Sequence, residues 1–198
     1  MAGETHPSRG GLFVVAGPSG VGKGTVVRRV LDIRPDIVLS VSATTRSPRP
    51  GETEGTDYRF VTDPDFDRLV ADHAFLEWAD IFGHHRSGTL AEPVERDRAR
   101  GKPVILEIDV QGARQVQERE PDAVLIFLAP PSLDELERRL RARGTEDEAQ
   151  LERRLAAAER EIGEAGSFGH VVVNEQVDQA AAEIARIIDE REGVPLRA

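Results

Sequence analysis

Cysteine is absent from the 198 residues. No disulfide and no thiolate zinc site can form, which fits a reducing, cytoplasmic setting. No run approaches the roughly 18 apolar residues a membrane helix needs, so no membrane partner is expected. The stretch from Met1 to Gly10 lacks the apolar middle of a signal peptide and reads as a mobile N-terminal tail. Positive charge is short as well: 26 Lys and Arg face 36 Asp and Glu, a formal net charge of −10. Duplex binding leans on an electropositive surface, so nucleic acid is not an expected partner. A small anionic substrate needs only a local cluster of basic side chains. Repeats and low-complexity segments are missing, and the length suits one compact domain.

What is present alternates between strand and helix signals. Leu12 to Ala16 is a short apolar run closed by glycines, a buried strand. Val26, Val27, Val30 and Leu31 then recur at helical spacing until Pro35. Ile37 to Leu39, Val104 to Asp109, Ala123 to Leu128 and Val171 to Val173 supply four more strands. Ser132 with Glu135, and Thr145 with Glu148, have capping-box spacing. Between Ser42 and Thr89, Pro, Gly and charged residues dominate around one short helix, with Asp63 as its expected N-cap and Pro64 at the first helical position. The alternation predicts an α/β fold with a parallel sheet covered on both faces.

Gly17-Pro18-Ser19-Gly20-Val21-Gly22-Lys23 has the glycine spacing of a P-loop, directly after a strand and before a helix. Such a loop aims backbone N–H groups at phosphate, the helix terminus adds positive potential, and Lys23 reaches the β- and γ-phosphates of a nucleotide. The following residue, commonly a Ser or Thr that ligates Mg²⁺, is here Gly24. Thr25 comes next, about 100° further round the helix, and cannot simply take its place. The Lys-Gly-Thr variant resembles the P-loop of adenylate kinases. Further on, Arg46 and Arg49 lie in a proline-fixed loop suited to gripping phosphate with forked bonds.

Ser42-x-Thr44-Thr45-Arg46-x-Pro48-Arg49-x-Gly51-Glu52 is similar to the GMP-binding signature of guanylate kinases. The similarity continues through Phe75 to Ala79, Leu106 to Gly112, Ala129 to Ser132, Arg138 to Leu140, Arg143 to Glu146 and Val172 to Asn174. It implies a P-loop three-layer sandwich spanning residues 11–198. The core is expected over 11–41, 90–139 and 162–198, a GMP-binding insertion over 42–89 and a helical lid over 140–161. The activity it implies is transfer of the γ-phosphoryl group of ATP to GMP, and to dGMP, with Mg²⁺ accompanying ATP and the protein acting as a monomer or homodimer.

Carried over by residue, the resemblance places Arg46, Arg49 and Tyr58 on the GMP phosphate and Ser42, Glu77 and Thr89 at the guanine. Guanine offers N1–H and N2–H₂ as neighbouring donors, which one ionised carboxylate can accept together. ATP is expected on Gly17 through Thr25 with Asn174 on the adenine side. Lys23, Arg46, Arg139, Arg143 and Arg154 are expected to neutralise the transferring phosphoryl group. Asp109, at a strand end, either steadies Mg²⁺ through water, contacts GMP, or caps a helix. A tyrosine that helps hold the GMP phosphate in this family precedes a glycine where this chain has Ser87, leaving Arg86 or Ser87 to substitute. The neighbouring His84 and His85 have no metal-ligand spacing and read as loop residues. Two other readings are a kinase for another monophosphate, suggested by Lys-Gly-Thr, and a non-catalytic protein-binding module, which Lys23 and the lid arginines oppose.

Overall fold

The computed structural model describes residues 9–81, 85–142 and 148–194. Five strands build the core sheet: β1 (Leu12–Ala16), β2 (Val38–Leu39), β7 (Val104–Glu107), β8 (Val124–Ala129) and β9 (His170–Val173). They run parallel in the order β2-β7-β1-β8-β9. Because side chains alternate along a strand, β1 divides its residues between two cores. Phe13 and Val15 pack with Val26, Val27 and Val30 of α1 (Lys23–Ile33) and with Ile184, Ile187 and Ile188 of α7 (Val177–Glu192). Leu12, Val14 and Ala16 pack with Val94 of α3 (Ala91–Ala99) and with Val110, Ala113 and Val116 of α4 (Val110–Arg119). The result is the expected three-layer arrangement.

A second sheet accounts for much of the segment that composition alone left irregular. It contains β3 (Ala43–Thr44), β4 (Arg59–Phe60), β5 (Phe75–Ile81) and β6 (His85–Leu90), in the order β4-β3-β6-β5. One face carries a small apolar cluster of Ala43, Phe66 and Phe75, joined by Trp78 and Leu90. Phe66 comes from the short helix α2 (Asp63–Ala71). It stacks on Phe75 at 4.6 Å and meets Trp78 edge-on at 6.0 Å.

Two expectations of helix capping need correction. The N-cap of α2 is Thr62, whose Oγ1 accepts from Asp65 N–H at 3.2 Å. Asp63 is therefore already helical, and its carboxylate is occupied by Arg86 at 2.7 Å. Arg9 and Gly10, the described end of the expected tail, bond to α3. Gly10 N–H donates to Arg98 O at 2.9 Å, the buried Arg98 side chain donates back to Gly10 O at 3.1 Å, and Arg9 grips Glu95 at 2.7 Å. Within the expected lid, three buried side chains face the core. Leu140 of α5 (Leu133–Ala142), with Leu151 and Ala158 of α6 (Glu148–Gly163), joins the larger apolar cluster. Ser132 caps α5 by accepting from Glu135 N–H at 3.1 Å, but Glu135 turns to Arg138 and Arg139 instead of closing the box. Thr145 and Arg143 lie outside the described residues.

Replacing Phe66 with Ala removes the centre of the small cluster and should cost about 3–5 kcal/mol. Urea unfolding followed by the fluorescence of Trp78, the single tryptophan, reads this directly, and a shift below about 1 kcal/mol would contradict the packing described.

Candidate active site

The P-loop joins β1 to α1. Gly22, the N-cap of α1, sits at φ 96°, a left-handed conformation that glycine adopts without strain. No side chain caps this helix, so its first N–H groups stay available to an anion. Lys23 opens α1 and folds back over the loop, donating to Gly17 O at 2.6 Å and to Pro18 O at 3.2 Å. Behind the loop, Asn174 is buried, and its Nδ2 donates to Val21 O at 2.8 Å. Arg139 donates to the same carbonyl at 3.3 Å and to Asn174 O at 3.0 Å. These two expected nucleotide contacts therefore buttress the loop from outside the cavity described next. Thr25 is exposed on α1. Arg154, half-buried on α6, does not line that cavity.

A cavity of about 360 Å³ lies between the P-loop and the second sheet. Alternation along three strands builds its wall. Ser42, Thr44 and Arg46 come from β3 and its flanks, Glu77, Ala79 and Ile81 from β5, and His85 and Ser87 from β6. Tyr58 lines it as well, while Lys23, Glu107, Asp109 and Glu161 close the opposite side. The sequence pattern reads His85 as a loop residue and gives no sign of Glu161 or of the role of Gly112. The period of two in His85-Arg86-Ser87-Gly88-Thr89 was the available signal for His85.

Glu77 is the most desolvated carboxylate in this wall, only 4% exposed. Thr89 stands opposite it in the strand pair, and Thr89 Oγ1 donates to Glu77 Oε1 at 2.6 Å. The other oxygen, Oε2, faces Gly112 so closely that a Cβ there would lie 2.8 Å away. Burial pushes the Glu77 carboxyl from its ordinary 4.5 up to about 7; the Thr89 bond opposes this and nearby Asp109 adds to it.

The arginines divide. Arg46 is held by both oxygens of Glu52, at 2.7 and 2.6 Å, and its guanidinium lies 4.6 Å from the centre of the Tyr58 ring. That pairing, with the Arg49 N–H bond, pulls the Glu52 carboxyl down to about 2. Arg49 is exposed and does not line the cavity. Arg86 turns to the far face of its sheet, bonded to Asp67 and Asp63 and lying 4.7 Å from the centre of the Phe66 ring. It is therefore not the substitute for the missing tyrosine.

Near the P-loop, the Glu107 carboxylate lies beside Gly24, in ordinary contact range of any Cβ placed there. A Cβ on Gly24 would stand 3.4 and 3.5 Å from its two oxygens. Burial raises the Glu107 carboxyl, opposed by Lys23 and Arg28. Glu161 is raised by burial too, with Lys23 opposing and Asp109 reinforcing. Asp109 caps α4, accepting from Gly112 N–H at 2.7 Å. Of its open roles, capping is therefore filled, and it still borders the cavity.

Between pH 4.5 and about 7 the folded chain holds a proton on Glu77 that the unfolded chain has lost. Stability therefore falls as pH rises through that window and stays reduced above it. Glu77→Gln should lack this loss, so its urea stability relative to wild type should rise by about 3 kcal/mol across the window. A constant difference would mean that Glu77 is not desolvated as described.

Comparison with known proteins identifies the family. The family model for guanylate kinase matches residues 9–191. A guanylate kinase of Thermobifida fusca (strain YX) is 51% identical over 187 residues, covering 94% of each chain. That of Synechococcus sp. (strain CC9902) is 54% identical over 175 residues, covering 88% of this chain and 93% of its own. The crystal structure of guanylate kinase from Anaplasma phagocytophilum superposes with a TM-score of 0.77 at 34% identity, covering 93% of this chain and 87% of its own. With a P-loop facing a carboxylate-bearing sheet across one cavity, and with the match running through both, the chain belongs to the guanylate kinase family.

Proposed function

We propose that the two walls of the cavity divide the family's reaction between them, the P-loop wall holding ATP and the second sheet holding GMP. The reaction transfers the γ-phosphoryl group of ATP to GMP and gives ADP and GDP. The observation that carries the division is the buried Glu77–Thr89 pair. When the Glu77 carboxylate is ionised, its two oxygens can accept both neighbouring donors on the guanine edge. Adenine lacks that donor pair, and an ionised carboxylate left unpaired in this setting costs binding. Ser42 completes the base end, while Arg46, Arg49 and Tyr58 hold the phosphate, Arg49 reaching it from its exposed loop. None of these assigned contacts goes to the 2′-hydroxyl, so dGMP should serve too.

On the other wall, Gly17 to Thr25 cradle the triphosphate through backbone N–H groups, with Lys23 exchanging its carbonyl partners for phosphate oxygens. Asn174 and Arg139 serve ATP by fixing the Val21 carbonyl and hence the loop's shape. Arg154, together with Arg143, neutralises the charge that spreads over the transferred group. No side-chain nucleophile is needed, because an oxygen of GMP attacks. Positioning, electrostatics and exclusion of water do the remaining work. Closure is then a motion of the lid's outer part over 140–161 and of the GMP-binding region over 42–89.

Among the described residues no cluster of three or more His, Cys, Asp or Glu could hold a metal by itself. Oxygen donors nonetheless border the place where the triphosphate must lie, and Glu107 stands over Gly24 where the usual hydroxyl is missing. This suits Mg²⁺, a hard cation that keeps much of its water and is bound largely by substrate phosphates. Glu107 and Asp109 would hold it through water, and the ion would supply charge neutralisation to the β- and γ-phosphates. Among the described residues no helix is long and apolar enough to cross a membrane. We place the enzyme in the cytoplasm, as a monomer or homodimer.

The direct test is coupled ADP release from purified protein offered GMP, dGMP, AMP and UMP. GMP and dGMP should be turned over, with AMP and UMP lower by at least roughly 10⁴-fold. Equal use of AMP would overturn the proposal. Lys23→Ala should abolish turnover while leaving the circular dichroism spectrum unchanged, and near-normal turnover would remove the P-loop from the mechanism. Glu77→Gln should lower kcat/KM for GMP by roughly 10- to 100-fold, since the amide offers an N–H where guanine needs an acceptor.

A further inference from the structure

The phosphate end of the GMP wall lacks the family's tyrosine, and neither residue expected to replace it is placed to do so. Arg86 lies on the far face of its sheet, tied to α2. Ser87 lines the cavity, but its short hydroxyl donates to Ala43 O at 3.2 Å.

Strand geometry points to a third residue. Along β6, side chains at 85, 87 and 89 share a face, and His85 lines the cavity with Ser87. Paired positions across β3 and β6 are Ala43 with Gly88 and Thr44 with Ser87. The pairing continues at Thr45, whose N–H donates to Arg86 O at 3.0 Å, and Thr44 Oγ1 donates to that same carbonyl at 2.9 Å. β3 itself ends at Thr44 and the chain bends at Thr45 and Arg46, yet Arg46 and His85 both line the cavity at this end. Thr89, at the guanine-reading end, is roughly 13 Å away along the strand.

Electrostatics give this position a purpose. Arg46 is already neutralised in part by the forked Glu52 contact. A phosphate dianion arriving there gains from a second donor that can carry charge, and imidazole is the side chain whose charge responds near neutral pH.

We infer that His85 donates a ring N–H to the GMP phosphate beside Arg46, filling from the first residue of β6 the place of the family's tyrosine. The inference rests on the reading of this wall as the GMP site.

Calorimetric titration of the full chain with GMP and with guanosine, for wild type, His85→Ala and His85→Gln, separates the two. His85→Ala should weaken GMP by roughly 10- to 100-fold, the range for a hydrogen bond to a charged group, and leave guanosine unchanged. His85→Gln keeps an N–H donor and should recover part of the loss. The ³¹P shift of bound GMP, expected to differ between wild type and His85→Ala, reads the same contact without guanosine. Unchanged GMP affinity, an unchanged ³¹P shift, or equal losses for GMP and guanosine would each overturn the inference. A wild type that binds AMP as well as GMP would instead overturn the reading on which it rests.

Discussion

The Glu77 carboxylate is held out of water on β5, with one oxygen bonded to Thr89 and the other backed by the bare α-carbon of Gly112. An ionised carboxylate in that setting is short of partners, and its elevated proton affinity expresses the shortage. A ligand presenting two adjacent N–H donors removes it. The residues around Glu77 are constrained by this need: a hydroxyl at Thr89 to hold the carboxylate's orientation, and glycine at 112 so that α4 can approach. Asp109 fixes the start of α4 and with it the position of Gly112.

The second constraint is that two differently built layers must meet at one cavity. The core sheet presents the P-loop and Glu107 at the carboxyl ends of its parallel strands, where ligands of open α/β sheets bind. The second sheet presents polar side chains at alternate positions and hides Phe66, Phe75 and Trp78 behind them. Arg86 belongs to that hidden side, where it clamps α2 to the sheet through Asp63 and Asp67. On the nucleotide side, Arg139 and Asn174 converge on the Val21 carbonyl. They shape the loop without bordering the cavity.

The parallel core was legible because each strand is a short apolar run bounded by Gly, Pro or charge, and the P-loop because its glycines sit in strand–loop–helix context. The second sheet was not read from composition, for a physical reason. Its β3 and β4 are two residues long, and the cavity demands polar residues on the face of β6 that would otherwise alternate with apolar ones. Thr62 displaced Asp63 as a cap because Arg86, distant in sequence, claimed the Asp63 carboxylate. Asn174 and Arg139 were recognisable by family resemblance, but their attachment to Val21 is a tertiary contact that no local pattern reports. His85 reads as a loop residue because of the glycine and histidine before it, although the period of two through Ser87 and Thr89 puts it on the cavity face.

The proposal at the centre of this account is that the buried Glu77 carboxyl reads the guanine edge in its ionised form, so that GMP binding releases the proton it carries below about pH 7. Calorimetry of GMP binding near pH 6.5, repeated in buffers of different ionisation enthalpy, counts that proton. The account predicts net release in the wild type that is smaller in Glu77→Gln by a substantial fraction of one proton, the phosphate's own contribution being common to both. Equal proton counts in the two proteins would contradict it.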